Sequence, residues 1–109
     1  MNIKPLKDSS AVIHKAYKIL PDELYKDFVK AISELENNDY HIKQKFPTIR
    51  LHKVEGTHLK IFRADINKTS GWRIHLQYDN GFVKLCDILE RKEHDRVDKT
   101  IKNRKNKYK

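Results

Sequence analysis

Apolar and polar positions alternate along this chain with two periods, and the change of period marks its elements. After Asp8-Ser9-Ser10, which offers helix N-cap chemistry, Val12, Ile13, Ala16, Tyr17 and Leu20 fall on one helical face. That spacing predicts a first helix over Ser10 to Ile19. Pro21 ends it and can open the next, with Asp22 and Glu23 placed where negative charge suits a helix N-terminus. Leu24, Phe28, Ala31, Ile32 and Leu35 predict a second amphipathic helix that stops near Asn37-Asn38. Two apolar stripes of this kind need a common surface to cover.

The period then shortens to two. Leu59 to Ile66, Trp72 to Tyr78 and Phe82 to Leu89 have strand character. Asn67 to Gly71 is a turn-forming cluster, and Asn80-Gly81 suits a two-residue hairpin turn in which both central residues need positive φ. A turn at Asn80-Gly81 sets Asp79 opposite Phe82, Tyr78 opposite Val83, Leu76 opposite Leu85, Ile74 opposite Asp87 and Trp72 opposite Leu89. One face is then oily and includes Trp72 and Tyr78, which read as core and not as base-stacking platforms. The other carries Arg73, His75, Gln77, Lys84 and Cys86, together with Phe82 and Ile88. Pairing Ile66 near Trp72 adds Phe62, Ala64 and Ile66 to the oily face and sets Arg63 beside His75.

The remaining segments are less patterned. Residues 3 to 6 fit a short edge strand or coil, because Pro5 lacks a backbone donor. Residues 39 to 57 read as a basic loop with room for a short strand. The chain closes with a helix from His94 to about Lys105, whose apolar stripe is Val97 and Ile101. The expected architecture is α+β: a helical hairpin on a small antiparallel sheet of three to four strands, followed by a basic C-terminal helix. All of it forms a single domain over residues 1–109, a length able to bury a real core.

Charge narrows the partners. The net charge is +9, with 24 Lys and Arg against 15 acids. Residues 91–109 hold nine Lys or Arg against three acids, whereas Asp22 to Asp39 is acidic. Such asymmetry favours an anionic partner, nucleic acid first and an acidic protein second. The lone Cys86 excludes an intramolecular disulfide and fits a reducing, cytoplasmic setting. No apolar run approaches the roughly 20 residues of a membrane span, and Met1 to Pro5 lacks the apolar centre of a signal peptide.

Candidate chemistry gathers around the hairpin. Arg63, Arg73 and His75 share a sheet face, and Arg91, Lys92 and His94 follow the last strand directly. Arginine holds phosphate through a planar, permanently charged fork, and histidine exchanges protons near neutrality. Together they can run phosphodiester cleavage without metal. Plainer roles stand beside these. Arg73 can form a cross-strand ion pair with Asp65, His75 can fill space beside Cys86, His94 can be a solvated residue at a helix start, and Arg91 and Lys92 can rim a partner groove. The six histidines show no metal-ligand spacing, and no phosphate-binding loop, dinucleotide fingerprint or nucleophile elbow is present. Neither metal nor cofactor is expected. The tail from Lys99 to Lys109 reads as an electrostatic grip on a polyanion, or as a helix end that complements its dipole.

The order helix, helix, three antiparallel strands, C-terminal helix resembles the RelE/ParE superfamily of toxins from bacterial toxin-antitoxin pairs. The resemblance runs through Leu20-Pro21, Ala31 to Leu35, Leu51 to Gly56, Leu59 to Arg63, Gly71 to Tyr78 and Glu90 to Asp95. It implies a RelE-like mRNA interferase that enters the ribosome and cleaves mRNA by attack of a ribose 2′-hydroxyl on the adjacent phosphate. By the same resemblance Arg73, Arg91 and His94 are the catalytic candidates, and Lys60, Arg63, His75 and Lys92 contact RNA. The implied partners are mRNA, the ribosome and an acidic antitoxin, the last forming a hetero-oligomer. Some members place a tyrosine shortly after the position of Val97. Here the next tyrosine is Tyr108. The alternative is a basic binding protein without catalysis, or a ParE-like toxin that inhibits gyrase.

Overall fold

The structure, a computed structural model, describes residues 3–108. Its elements are β1 (Leu6–Lys7), α1 (Val12–Ile19), α2 (Tyr25–Leu35), α3 (Asn38–Lys43), β2 (His52–Lys53), β3 (Phe62–Asp65), β4 (Arg73–Asp79), β5 (Phe82–Leu89), α4 (Arg91–Asp95) and α5 (Val97–Asn103). Short 3-10 turns precede α2 and follow α5. The fold is α+β, and its sheet has five strands in the order β1-β5-β4-β3-β2. It is therefore mixed, not purely antiparallel, because β1 runs parallel to β5 with Leu6 opposite Val83. Two of the five strands are only two residues long, which is too short for a two-residue period to register in the sequence.

Local chemistry explains the helix boundaries. The Asp8 carboxylate accepts the backbone N–H groups of Val12 and Ile13, at 2.7 and 3.0 Å, so α1 starts two residues later than Ser10. Asn37 caps α3 by accepting from Asp39 and Tyr40. This six-residue helix was expected to be loop. The C-terminal helix is also interrupted: Arg96 breaks it into α4 and α5, and a capping box between Glu90 and Glu93 starts α4 at Arg91.

The helical hairpin covers one sheet face. Val12, Ala16 and Leu20 of α1 and Phe28, Ala31 and Leu35 of α2 pack with Ala64, Ile74, Leu76, Val83, Leu85 and Ile88. Glu34 is buried on α2, and its carboxylate accepts from the backbone N–H groups of Thr48 and Ile49 and from the Thr48 hydroxyl. Those bonds tie the basic loop to the hairpin.

At the turn, Asn80 and Gly81 both take positive φ, and the expected register holds as far as Leu76 opposite Leu85. Then β5 carries one extra residue. His75 faces Asp87 and Ile74 faces Ile88, so Cys86 is a bulge and every later pairing shifts by one. The shift corrects two positions. Ile88 turns into the core with Ile74, and Asp87 turns to the opposite face beside His75. Trp72, expected opposite Leu89, gives that place to Arg73.

The second sheet face is not open to water as its polar residues suggest. Val54, Ile61, Cys86, Ile101 and Tyr108 form a smaller buried cluster, so α5 and the closing turn lie over it. His75 and Asp87 are fully buried there, and Gln77 and Lys84 nearly so.

Candidate functional site

The register of β3 with β4 sets Arg63 opposite His75 and Asp65 opposite Arg73. Asp65 is buried and serves three guanidinium groups. Arg50 donates to it from Nε at 2.9 Å, Arg63 Nε lies 3.3 Å away and Arg73 Nε 3.8 Å. The plainer role foreseen for Arg73, a cross-strand partner of Asp65, is therefore real. One carboxylate among three arginines still leaves an excess of positive charge. Burial and the neighbouring Arg73 pull the Arg63 pKa down, and Asp65 opposes them.

His75 is fully enclosed, and its Nδ1 lies 2.9 Å from the Tyr108 hydroxyl. Burial first, then the adjacent His94, push its pKa down to about 3, so the ring is neutral at pH 7. The His94 ring stands edge-on to it at 5.3 Å between centroids. Burial, then Arg73 and Arg63, lower the His94 pKa to about 4. Burial also raises the Tyr108 pKa, which keeps its hydroxyl protonated.

Among the described residues, four buried side-chain atoms lack a hydrogen-bond partner: Arg63 Nε, Asp65 Oδ1, His75 Nε2 and His94 Nε2. All four belong to this one cluster. Native interiors pair nearly all such atoms. Here Arg63 Nε and Asp65 Oδ1 still face each other as an ion pair at 3.3 Å, which leaves His75 Nε2 and His94 Nε2 as the buried nitrogens with no such contact.

Two devices hold α4 in place. Gly71, at φ +81°, lies against Arg91; a Cβ built there would stand 2.9 Å from the Arg91 Cβ and 3.1 Å from its Nε. Only glycine fits that close approach in that conformation. The second device is ionic. Asp87 accepts from Lys15 of α1 at 2.8 Å, Arg104 at 2.6 Å and Lys107 at 3.3 Å, and Arg104 also pairs with Glu93 of α4. Burial alone would raise the Asp87 pKa, but the hydrogen bonds from Lys15 and Arg104 outweigh it and lower it.

Of the residues singled out from sequence, Arg63, Arg73, His75 and His94 converge. Arg91 adjoins them through Gly71, with its side chain exposed. Lys92 points elsewhere, into an outer groove of α4 and α5 with Asp95, Arg96 and Lys99. Lys60 sits near the hairpin turn with Gln77, Tyr78 and Asp79. Arg104 and Lys107 turn inward to Asp87, so that part of the tail is structural, and Lys109 lies outside the described residues. Arg50 and Tyr108 went unforeseen as site residues. Arg50 reaches Asp65 from a loop, and Tyr108 comes back over the sheet only because α5 ends in a tight turn.

Comparisons with protein-family models, curated proteins and solved structures find no match. Function must be argued from the cluster itself. It offers fixed cations at the spacing of neighbouring strands and a neutral imidazole able to accept a proton. Among the described residues no group of three or more His, Cys, Asp or Glu is placed to hold a metal ion.

Proposed function

We propose that this chain is a RelE-like toxin of a toxin-antitoxin pair, a ribosome-dependent endoribonuclease that cleaves mRNA by 2′-hydroxyl attack. The observation that carries this reading is the meeting of Arg63, Arg73 and neutral His94, with the buried Nε2 atoms of His75 and His94 left without a hydrogen-bond partner. The helical hairpin, the three antiparallel strands β3 to β5 and the C-terminal helices supply the order that prompted the resemblance.

In the proposed reaction His94 takes the proton from the ribose 2′-hydroxyl, and the 2′-oxygen attacks the adjacent phosphorus. The 5′-oxygen leaves and takes a proton from water, giving a 2′,3′-cyclic phosphate and a 5′-hydroxyl end. Arg73 and Arg63 stabilise the charge that builds on the phosphoryl oxygens. Exposed Arg91 is placed to meet the strand as it enters, and Lys60 and Lys92 are outer contacts. The net charge of +9 suits both RNA and an acidic antitoxin in a cytoplasmic hetero-oligomer. No helix of the described residues is long and apolar enough to cross a membrane.

A second reading has an observation of its own. His94 Nε2 is hidden from solvent and all three arginines already share Asp65, an arrangement that also suits a binding protein or a ParE-like gyrase inhibitor. Induction in cells separates the two: cut mRNA with arrested translation supports the nuclease, and an inhibited topoisomerase with intact mRNA supports the alternative.

A further inference from the structure

A cleft of about 480 Å³ opens between α3 and the hairpin end of the sheet, on the face opposite the arginine cluster. Its walls include Lys4, His41, Gln44, Phe46, Phe62 and Tyr78. That volume lies in the range of small-molecule pockets, about 300–1,000 Å³. Tyr78 is the central ring and is 42% exposed. Simple alternation puts this ring in the core, yet it stays partly open and its neighbours hold it in one orientation.

Hydrogen bonds fix its orientation. The Leu35 carbonyl lies 2.7 Å from His41 Nε2, and a carbonyl can only accept, so Nε2 carries the ring proton. His41 Nδ1 is then an acceptor, and the Tyr78 hydroxyl donates to it at 2.8 Å. Burial and Lys4 lower the His41 pKa, which keeps that neutral tautomer. His41 and Phe62 stand edge-on to Tyr78 at 5.5 and 5.3 Å, bracing the ring from two directions. The Lys4 ammonium lies 5.7 Å from the Tyr78 ring centroid.

Lys4 is the cation of its lining, and the segment that carries His41, Gln44, Phe46 and Leu51 is basic. Residues 40–54 contain Lys43, Lys45 and Lys53 and no acid, while Arg50 of the same segment is turned to Asp65 on the other face. The nearest carboxylate on the hairpin, Asp79, is matched by Lys7 at 3.3 Å. A fixed aromatic ring with the Lys4 ammonium over it and a basic segment alongside has the chemistry of a single-strand stacking site, in which every base offers a π-face and cations track its phosphates.

We propose that this cleft holds one base of single-stranded RNA, stacked on Tyr78 with its phosphate toward Lys4. The site rests on the RNA reading above and extends it to a substrate contact away from the scissile phosphate. Tyr78 is three residues along β4 from His75, about 10 Å at the usual strand rise. The edge strand β2 is exposed, and its register sets His52 opposite Arg63 and Lys53 opposite Phe62, so it borders both faces.

The test is fluorescence anisotropy of the full chain with 5′-labelled hexauridylate RNA, repeated over a range of salt. Tyr78→Leu should weaken binding roughly tenfold with an unchanged slope of log affinity against log salt, because it removes a ring and no charge. Tyr78→Phe keeps the ring and should bind within about twofold of the parent. Thermal unfolding of both variants shows that the comparison is between folded proteins. Equal RNA affinity in Tyr78→Leu overturns the stacking site. So does a cleft that takes a glutamate-rich peptide in place of RNA, with Tyr78→Leu abolishing that binding. mRNA cleavage by His94→Ala is scored separately: its loss alongside unchanged Tyr78→Leu affinity overturns the stacking site and leaves the nuclease standing. Normal cleavage by His94→Ala with a tenfold loss in Tyr78→Leu does the reverse.

Discussion

His94 is neutral at pH 7 because it is partly buried and because Arg73 and Arg63 disfavour one more positive charge nearby. A base with a pKa of about 4 is fully available at neutral pH, although each proton it accepts is held weakly. Replacing Arg73 by alanine removes the larger of the two cationic contributions. The His94 pKa should then rise from about 4 toward its ordinary 6.5, a change read from imidazole NMR shifts across a pH series. An unmoved titration would separate the two residues. His75 gives a stability prediction with the sign set by burial. Its folded pKa of about 3 lies below the ordinary 6.5, so the unfolded chain binds the proton first and stability is full above pH 6.5. Between pH 6.5 and 3 it should fall by up to about 1.4 kcal/mol per unit from this residue. Denaturant melts of His75→Gln should show a shallower acid loss than the parent. The period-two pattern and the hairpin turn made the shared face of Arg63, Arg73 and His75 legible in the sequence. Tyr108 was not, since its return depends on a 3-10 turn that leaves no periodic signal.

At the scale of elements, the bulge at Cys86 decides which side chains reach the site. Without it Asp87 would enter the core and Ile88 the polar face, as simple alternation predicts. Strict alternation from the turn hides the bulge, although it sets Asp87 against Ile74 on the oily face and Ile88 on the polar one, a mismatch of residue type that the extra residue at Cys86 removes. With it, Asp87 becomes the anchor to which Lys15, Arg104 and Lys107 converge. The carboxylate is fully buried, and removing one partner of a buried pair leaves the rest uncompensated. Asp87→Asn should cost about 3 kcal/mol or more and release the C-terminal segment first. Hydrogen exchange would locate the loss: amides from Val97 to Tyr108 should gain exchange more than those of β4. A uniform increase across the sheet would contradict the anchoring role. The sequence showed the long helices well through their 3.6-residue stripes, whereas α3, β1 and β2 are too short to carry a period.

The molecule as a whole is a five-stranded mixed sheet with different coverings on its two faces. The helical hairpin seals one face with an apolar core. The C-terminal helices cover the other and enclose the arginine and histidine cluster beneath them. The overall charge of +9 predicted an anionic partner, but its distribution was only partly readable. Arg104 and Lys107 of the basic tail are committed to Asp87, while the acid-free segment from 40 to 54 lines the aromatic cleft through His41, Gln44, Phe46 and Leu51. Positive charge thus lies on both sheet faces, and the proposed chemistry is assigned to one of them. The most direct measurement is cleavage of a defined mRNA on purified ribosomes by the parent chain, Arg73→Ala and His94→Ala, with folding checked by circular dichroism. The account predicts cleavage by the parent and a loss of about 10²-fold or more in each variant. Cleavage at the parental rate by both folded variants would contradict it.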